Sequence, residues 1–554
     1  MASIDAEGAD ESENGATLRT VVVASSAGTA FEWYDFFVFG SLTSVISKNF
    51  FTGLSETAGI AAALALFGAG FLFRPLGALV FGRIGDKAGR KGAFLVTVSL
   101  MGAATFAIGL LPTYAQAGII GPALLIAMRI LQGFALGGEY GGAAIYVAEH
   151  AHPARRGGTT AWVQTSAAFG LFGALGVIFA TRLAMGTEAF DAWGWRIPFL
   201  VSAGLLAISI YMRLKLSESP AFAKLKAEGL DSKAPFTDAF GRWENLKVVL
   251  LALVAIMSAQ GAVWYTVFFY SQTFMDRFLK VPASTINILM LSATAISAVG
   301  YVVFGWLSDK VGRKPVLLFG MVLMLAAYFP GFHMLATTLN PALAEAGART
   351  PVVVVADPAD CSLQFDPVGK ASFVSSCDIA KSVLANAGVS YRNEAGAAGQ
   401  PAVVKVGAAA VTSADARGLA GSQVKAAKGK VEADIKAALA HAGYPAKADP
   451  ARMNIWGALG VMLIFVIAAT ALYGPIAACL VELFPTKIRY TAMSLPYHIG
   501  TGWIGGFVPF TAFAIVAATG NIYSGLWYPL AFTAISVIAC LLLLPETRHR
   551  SLHG

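Results

Sequence analysis

Glu32 and Asp35 stand three residues apart in the run Phe31-Glu32-Trp33-Tyr34-Asp35-Phe36-Phe37, which is otherwise aromatic. At helical spacing both carboxylates fall on one face. An ionised carboxylate at membrane depth costs roughly 2.5–3.5 kcal/mol even on the lenient insertion scale, so this face must meet a cavity or a cation rather than lipid. Cations in similarly apolar surroundings are Arg74 and Arg129, the latter opening the run Arg129-Ile130-Leu131-Gln132-Gly133 that continues to Glu139. An acid that pairs with Arg129 when ionised and leaves it when protonated can carry a proton. Asp35, near mid-span, is the first candidate, with Glu32 and Glu139 next. The competing reading is a permanent ion pair that only locks helices together, and it is stronger for Glu32 than for Asp35. No nucleophile, base and orienting group occur together, and no His or Cys cluster has metal-ligand spacing. Neither enzymatic chemistry nor a metal or other cofactor is therefore expected, and a proton is the only coupling species required.

The elements that must hold these groups are membrane helices. Of 554 residues, 56% are hydrophobic and 13% charged, too apolar for a soluble core. Segments of roughly 20 apolar residues, enough to cross a core of about 30 Å, fall near 18–47, 58–82, 92–112, 118–148, 159–182 and 195–213. After a polar linker, 214–245, more follow near 246–275, 284–307, 315–338, 453–481, 491–519 and 524–544. These are numbered as spans 1 to 12. The predicted class is an all-α membrane protein of two six-helix bundles, 18–213 and 246–338 with 453–544. Residues 1–17 read as a disordered cytoplasmic tail and 545–554 as a second cytoplasmic tail.

Basic residues set the orientation. They crowd the loops assigned inside (Arg83, Lys87, Arg90, Lys91, Arg155, Arg156, Arg213, Lys215, Lys310, Arg313, Lys314, Lys487, Arg489), while the short outer loops hold only Lys48, Arg182, Arg277 and Lys280. Both termini are then cytoplasmic. This distribution also accounts for the net charge of +8 without a nucleic-acid partner. Two of the inner loops repeat one pattern: Gly82 with Asp86-Lys87-x-Gly89-Arg90-Lys91, and Gly305 with Asp309-Lys310-x-Gly312-Arg313-Lys314. Matching elbows in two halves indicate an internal repeat. In the second half, Gln260, Trp264 and Phe268 form a stripe at helical spacing with Tyr265 beside it, and Tyr497-His498 lies in span 11. Such groups are either packing surface or cavity wall.

Residues 339–452, between spans 9 and 10 on the outer side, are too long for a loop. Pro351–Val355 and Val389–Tyr391 read as strands; 378–386, ending at Gly388, and 424–441 read as helices. The expectation is a small α/β insertion outside the membrane. Cys361 and Cys377 are its only cysteines and face an oxidising space, so they are predicted to be bonded.

The elbow pattern, with Arg129-x-x-Gln132-Gly133, resembles the signatures of the major facilitator superfamily. Glu32-Trp33-Tyr34-Asp35-Phe36, Gly137-Gly138-Glu139-Tyr140-Gly141-Gly142, Trp195-Arg196-Ile197-Pro198-Phe199, Glu218-Ser219-Pro220 and Glu482-Leu483-Phe484-Pro485-Thr486 resemble its metabolite:proton symporter family. The resemblance spans everything except 339–452. It implies proton-coupled symport of a small organic acid, such as a di- or tricarboxylate, through the bacterial inner membrane. It also implies a proton site at Asp35, Glu32, Arg129 and Glu139, and substrate contacts from Arg74, Arg129, Gln132, Gln260, Trp264, Tyr265, Tyr497 and His498. The conformational latch it implies is Gly82, Asp86 and Arg90 toward span 11, with Gly305, Asp309 and Arg313 toward span 5. The alternatives are a proline- or betaine-like osmolyte symporter and a nutrient sensor that uses the outer insertion. The expected partners are the substrate and the lipid bilayer, with the chain working as a monomer.

Overall fold

The computed structural model describes residues 2–51, 70–215, 217–364, 373–548 and 550–552, with side chains from Leu18 onward. Among them, ten helices are long and apolar enough to cross a membrane. Two more complete the twelve: span 1 lies within the helix Ala2–Ser41, and span 2 is described from residue 70, its predicted start at 58–69 falling outside the described residues. The backbone of residues 2–17 is helical rather than a disordered tail, which accords with the Ala and Glu content of Ala2, Ala6, Glu7, Ala9 and Glu11. The linker is not featureless either, holding the short helices Pro220–Ala227 and Pro235–Phe240.

Both elbows break between consecutive helices at a glycine of positive φ, Gly89 (120°) and Gly312 (108°), a conformation closed to ordinary side chains. The two bundles meet along spans 2 and 11 and along spans 5 and 8. Within the first bundle spans 2 and 4 cross so tightly that a methyl group on Gly77 would lie 1.8 Å from the Phe134 carbonyl.

The insertion folds around a four-stranded sheet: β1 Val352–Ala356, β2 Tyr391–Ala395, β3 Val403–Val406 and β4 Ala409–Thr412, in the order β2-β1-β3-β4. β1 runs parallel to β2 and antiparallel to β3. The valines of β1 alternate between buried and half-buried, as a strand between two neighbours requires. The helices Ser376–Asn386 and Gly421–His441 pack together, the first capped by the Ser375 hydroxyl on Asp378 N–H. Two corrections apply. β2 begins at Tyr391, where a strand was expected to end, because residues 387–390 make the turn out of the preceding helix. The β3–β4 hairpin was not expected; its strands are short and β4 is half alanine, with Gly407 at the turn in positive φ. Cys361 and Cys377 are joined by a disulfide.

The insertion is anchored on the second bundle. Tyr391 donates from its backbone to Gly520 O (2.7 Å) and from its hydroxyl to Ala517 O, Asn393 reaches Thr519 O, and Ala448 N donates to Lys280 O. These contacts seat it on the outer ends of spans 7 and 11.

Candidate functional site

A cavity lies between the bundles, walled by Thr29, Glu32, Trp33 and Phe36 of span 1, Arg74 of span 2, and Leu136 and Tyr140 of span 4. From the other half come Gln260, Trp264 and Tyr265 of span 7, Tyr473 of span 10, and Tyr497, His498 and Thr501 of span 11. The sequence did not mark Trp33, Tyr140 or Tyr473 for this wall. Tyr140 carried a weak signal as the neighbour of Glu139 in a glycine-rich run. Tyr473 carried none.

The wall is rigid. Tyr140 and Tyr497 stack at 3.7 Å between ring centroids, Tyr473 and Tyr497 share a hydroxyl hydrogen bond of 2.6 Å, and Gln164 fixes the Tyr140 hydroxyl at 2.6 Å. Trp264 is held by its indole N–H on the Tyr301 hydroxyl (2.9 Å). Arg74 is buried beside Tyr265, with its guanidinium 4.2 Å from the Phe71 ring centroid. Among the described residues no carboxylate lies within ion-pairing distance of it, and its Nε has no partner. Gln260 Oε1 is likewise unbonded. A buried cation on a cavity wall without a protein counter-ion is a site for an anion.

Several predicted site residues lie elsewhere. Arg129 and Gln132 are buried behind the wall rather than on it, because they face spans 1 and 3 inside the first bundle. The direct Asp35–Arg129 ion pair is absent from the described contacts. In its place Arg129 Nη1 donates to Gln132 Oε1 (2.7 Å) and Gln132 Nε2 to Thr105 Oγ1 (2.8 Å), while the Thr105 hydroxyl, beside Asp35, donates to Met101 O (3.0 Å). The Arg129 guanidinium lies 4.0 Å from the Phe39 ring centroid, a contact that turns it away from the acid. Arg213, read from the sequence as a loop cation, is buried, and its Nη2 is 3.0 Å from both Glu32 Oε1 and Glu139 Oε1. Its position at the end of an apolar span concealed this, since a long side chain can reach back into the bundle.

At the end of the bundles that carries the elbows, these two loops close the molecule. Asp86 accepts from the backbone N–H of Tyr490 (3.1 Å) and Thr491 (2.7 Å) at the start of span 11, and pairs with Arg90, which itself donates to Thr486 O. Asp309 accepts from Gly157 (2.8 Å) and Gly158 (2.7 Å) at the start of span 5 and pairs with Arg313. Both acids thus meet the positive end of a helix in the opposite bundle. Gly82 and Gly305 leave no room for a side chain against Thr491 and Ala161, which lets the halves touch. Further pairs across the seam are Arg156 with Glu482 (2.9 Å) and Arg489 with Glu149 (2.6 Å). The carboxy-terminal segment joins them: Glu546 accepts from the N–H groups of Arg313 and Lys314, which holds its carboxyl below the usual carboxylate range.

A family model described as "Sugar (and other) transporter" matches residues 20–238, 223–353 and 438–554. The chain belongs to that family. The matched residues stop at 353 and resume at 438, so the insertion is outside the family pattern. A proline/betaine transporter of Salmonella typhimurium is 36% identical over 329 residues, 57% of this chain, and the chain spans only 65% of that relative's length. A citrate-proton symporter of Klebsiella pneumoniae is 36% identical over 58% of this chain and 70% of its own length. A shikimate transporter of Escherichia coli is 33% identical over 57% and 72%. Among solved structures, the major facilitator superfamily proton:xylose symporter XylE bound to 6-bromo-6-deoxy-D-glucose aligns over 98% of both chains at 15% identity with a TM-score of 0.63. The inward open conformation of XylE from E. coli aligns at 16% identity over 97% of this chain and 98% of its own, with a TM-score of 0.51. The fold is that of the major facilitator superfamily.

Proposed function

We propose that this protein is a proton-coupled secondary transporter that brings a small organic acid into the cell across a bacterial inner membrane. The observation that carries this reading is Arg74, a buried cation on the wall of the central cavity with no carboxylate partner among the described residues. A substrate carboxylate supplies that partner. Gln260 and Tyr265 hold its polar edge, and Trp264, Tyr497 and His498 shape the remainder of the pocket. Closure on the cytoplasmic side, with Asp86 and Asp309 seated on opposite helix ends, fits one end state of alternating access. Asp35 holds the coupling proton beside Thr105, whose oxygen accepts from Gln132, the partner of Arg129, so that a change of charge at the acid is felt on span 4. Names of relatives such as citrate-proton symporter and inner membrane metabolite transport protein support the same class and location.

One observation favours a second reading, a zwitterionic osmolyte. Trp33, Phe36, Trp264 and Tyr265 present aromatic faces to the cavity, and a quaternary ammonium gains roughly 0.5–2 kcal/mol from such a face. Uptake of di- and tricarboxylates, aromatic acids and betaines into proteoliposomes under an imposed pH gradient separates the two. In the same vesicles Asp35→Asn is expected to abolish uphill accumulation and spare counterflow. Accumulation that persists in Asp35→Asn removes Asp35 from the coupling role, and the absence of uptake of every solute favours the sensor reading.

A further inference from the structure

The cytoplasmic ion pairs are balanced, each acid facing at least one guanidinium. The cluster behind the cavity is not. Arg213 Nη2 takes both Glu32 Oε1 and Glu139 Oε1 at 3.0 Å, which puts the two carboxylates within roughly 6 Å of each other, a range in which each disfavours ionisation of the other. All three side chains are buried, and Glu139 Oε2 has no hydrogen-bond partner among the described residues. The place is built for the guanidinium. Any side chain at Gly28 would collide with it at 2.4 Å, and the Phe94 ring lies 3.6 Å from it. Among the described residues, the other ionisable groups facing the cluster are Tyr490 of span 11, Asp35 one turn along span 1 and, on the cavity wall shared with Glu32, Arg74, Tyr140, Tyr265, Tyr473, Tyr497 and His498.

Over Arg213 two carboxylates meet one guanidinium, one negative charge too many, and Arg74 on the cavity wall partly offsets that excess while the cavity is empty. An anionic substrate on Arg74 leaves one negative charge in excess inside the membrane, where an uncompensated charge is costly. A proton removes it. We propose that Glu32 and Glu139 hold one proton between them over Arg213, in addition to the proton on Asp35, and that this proton and an anion on Arg74 favour each other's binding. The second half of this statement rests on Arg74 being the anion site; the first half does not.

The arrangement also gives the proton two exits. Glu32 lies on the cavity wall, and it shares a small void with Asp35, Ser202 and Ser209. Glu139 lies deeper, next to Gly138, whose carbonyl accepts from the Tyr490 hydroxyl of the closed inner seam. When Tyr490 withdraws from span 4, Glu139 becomes the member of the pair that meets the cytoplasm. Uptake from the cavity through Glu32 and release past Tyr490 through Glu139 would turn one shared proton into a transferred one, with Arg213 as the positioning residue that keeps both carboxylates in reach.

The test needs no substrate. The full-length chain in lipid nanodiscs, in an Asp35→Asn background, is examined by infrared difference spectroscopy for the carbonyl band of a protonated carboxylic acid. Glu32→Gln and Glu139→Gln are each expected to abolish the band, because either leaves one carboxylate paired with Arg213. Arg213→Gln removes the shared cation and should raise the band about twofold, as both acids then take a proton. Arg74→Gln imitates neutralisation by a bound anion and should enlarge the band at a fixed pH between full protonation and full loss. A band that survives either Glu→Gln change, or that Arg213→Gln leaves unaltered, overturns the shared proton. A band that obeys those three variants and ignores Arg74→Gln overturns only the linkage to the anion site.

Discussion

Replacing Asp86 by Asn changes little in volume and much in the closed seam. Asp86 is fully buried and accepts two backbone N–H bonds from the opposite bundle, at 3.1 and 2.7 Å, while also pairing with Arg90. An amide can accept one of these bonds through its oxygen but turns its NH2 toward the other donor, and it no longer balances Arg90. Hydrogen bonds to a charged group contribute about 1.5–3 kcal/mol each, so losing one and weakening the other removes on the order of 2–3 kcal/mol from the inside-closed state. That is a shift of roughly 30- to 150-fold in the ratio of inside-closed to inside-open molecules. The assay uses Ser494→Cys as a reporter, because the Ser494 hydroxyl lies against Gly141 of span 4 within the closed seam. Its alkylation rate by a maleimide added from the cytoplasmic side should rise by a comparable factor in Asp86→Asn. Net uptake should slow more than substrate affinity falls. An unchanged rate in a folded, membrane-inserted Asp86→Asn protein would refute the latch and reduce the elbow to a topology signal.

Thr105→Val removes the hydroxyl beside Asp35 that accepts from Gln132 and should cut pH-driven accumulation roughly tenfold, the worth of about 1.4 kcal/mol, while counterflow persists; equal losses in both assays would make Thr105 a packing residue. Removing the Cys361–Cys377 disulfide, by Cys361→Ser with Cys377→Ser, opens a loop with a sequence separation of 16. The insertion should lose about 3 kcal/mol, seen as an earlier thermal transition that leaves the membrane part unchanged. Gly388→Ala places a methyl group 1.8 Å from the Phe278 carbonyl at a positive φ of 72°, so the insertion should detach from span 7 and become sensitive to added protease while the bundles stay intact.

Much of this molecule follows from local chemistry. The apolar spans, the repeated Asp-Lys-x-Gly-Arg-Lys elbows and the basic inner loops are one-dimensional signals, because a bilayer sorts segments by hydropathy and charge. The assignment of Asp86 and Asp309 to the starts of spans 11 and 5 rested instead on the resemblance of the two elbows to the major facilitator superfamily signature. The disulfide needed only two cysteines in one outer segment.

Tertiary structure decided which buried charges meet. Arg129 and Arg213 look alike in the sequence, each a lone Arg beside an apolar run. Whether a guanidinium reaches an acid on another span depends on helix rotation, on a glycine such as Gly28 that opens a path, and on the direction in which a long flexible side chain is bent. None of these is a property of the residue itself. Folding therefore gave Arg213 to Glu32 and Glu139, sent Arg129 to Gln132 and the Phe39 ring, and left Arg74 facing the cavity. The same holds for Tyr140, Tyr473 and Tyr497, whose shared wall brings together spans 10 and 11 of the second bundle and span 4 of the first.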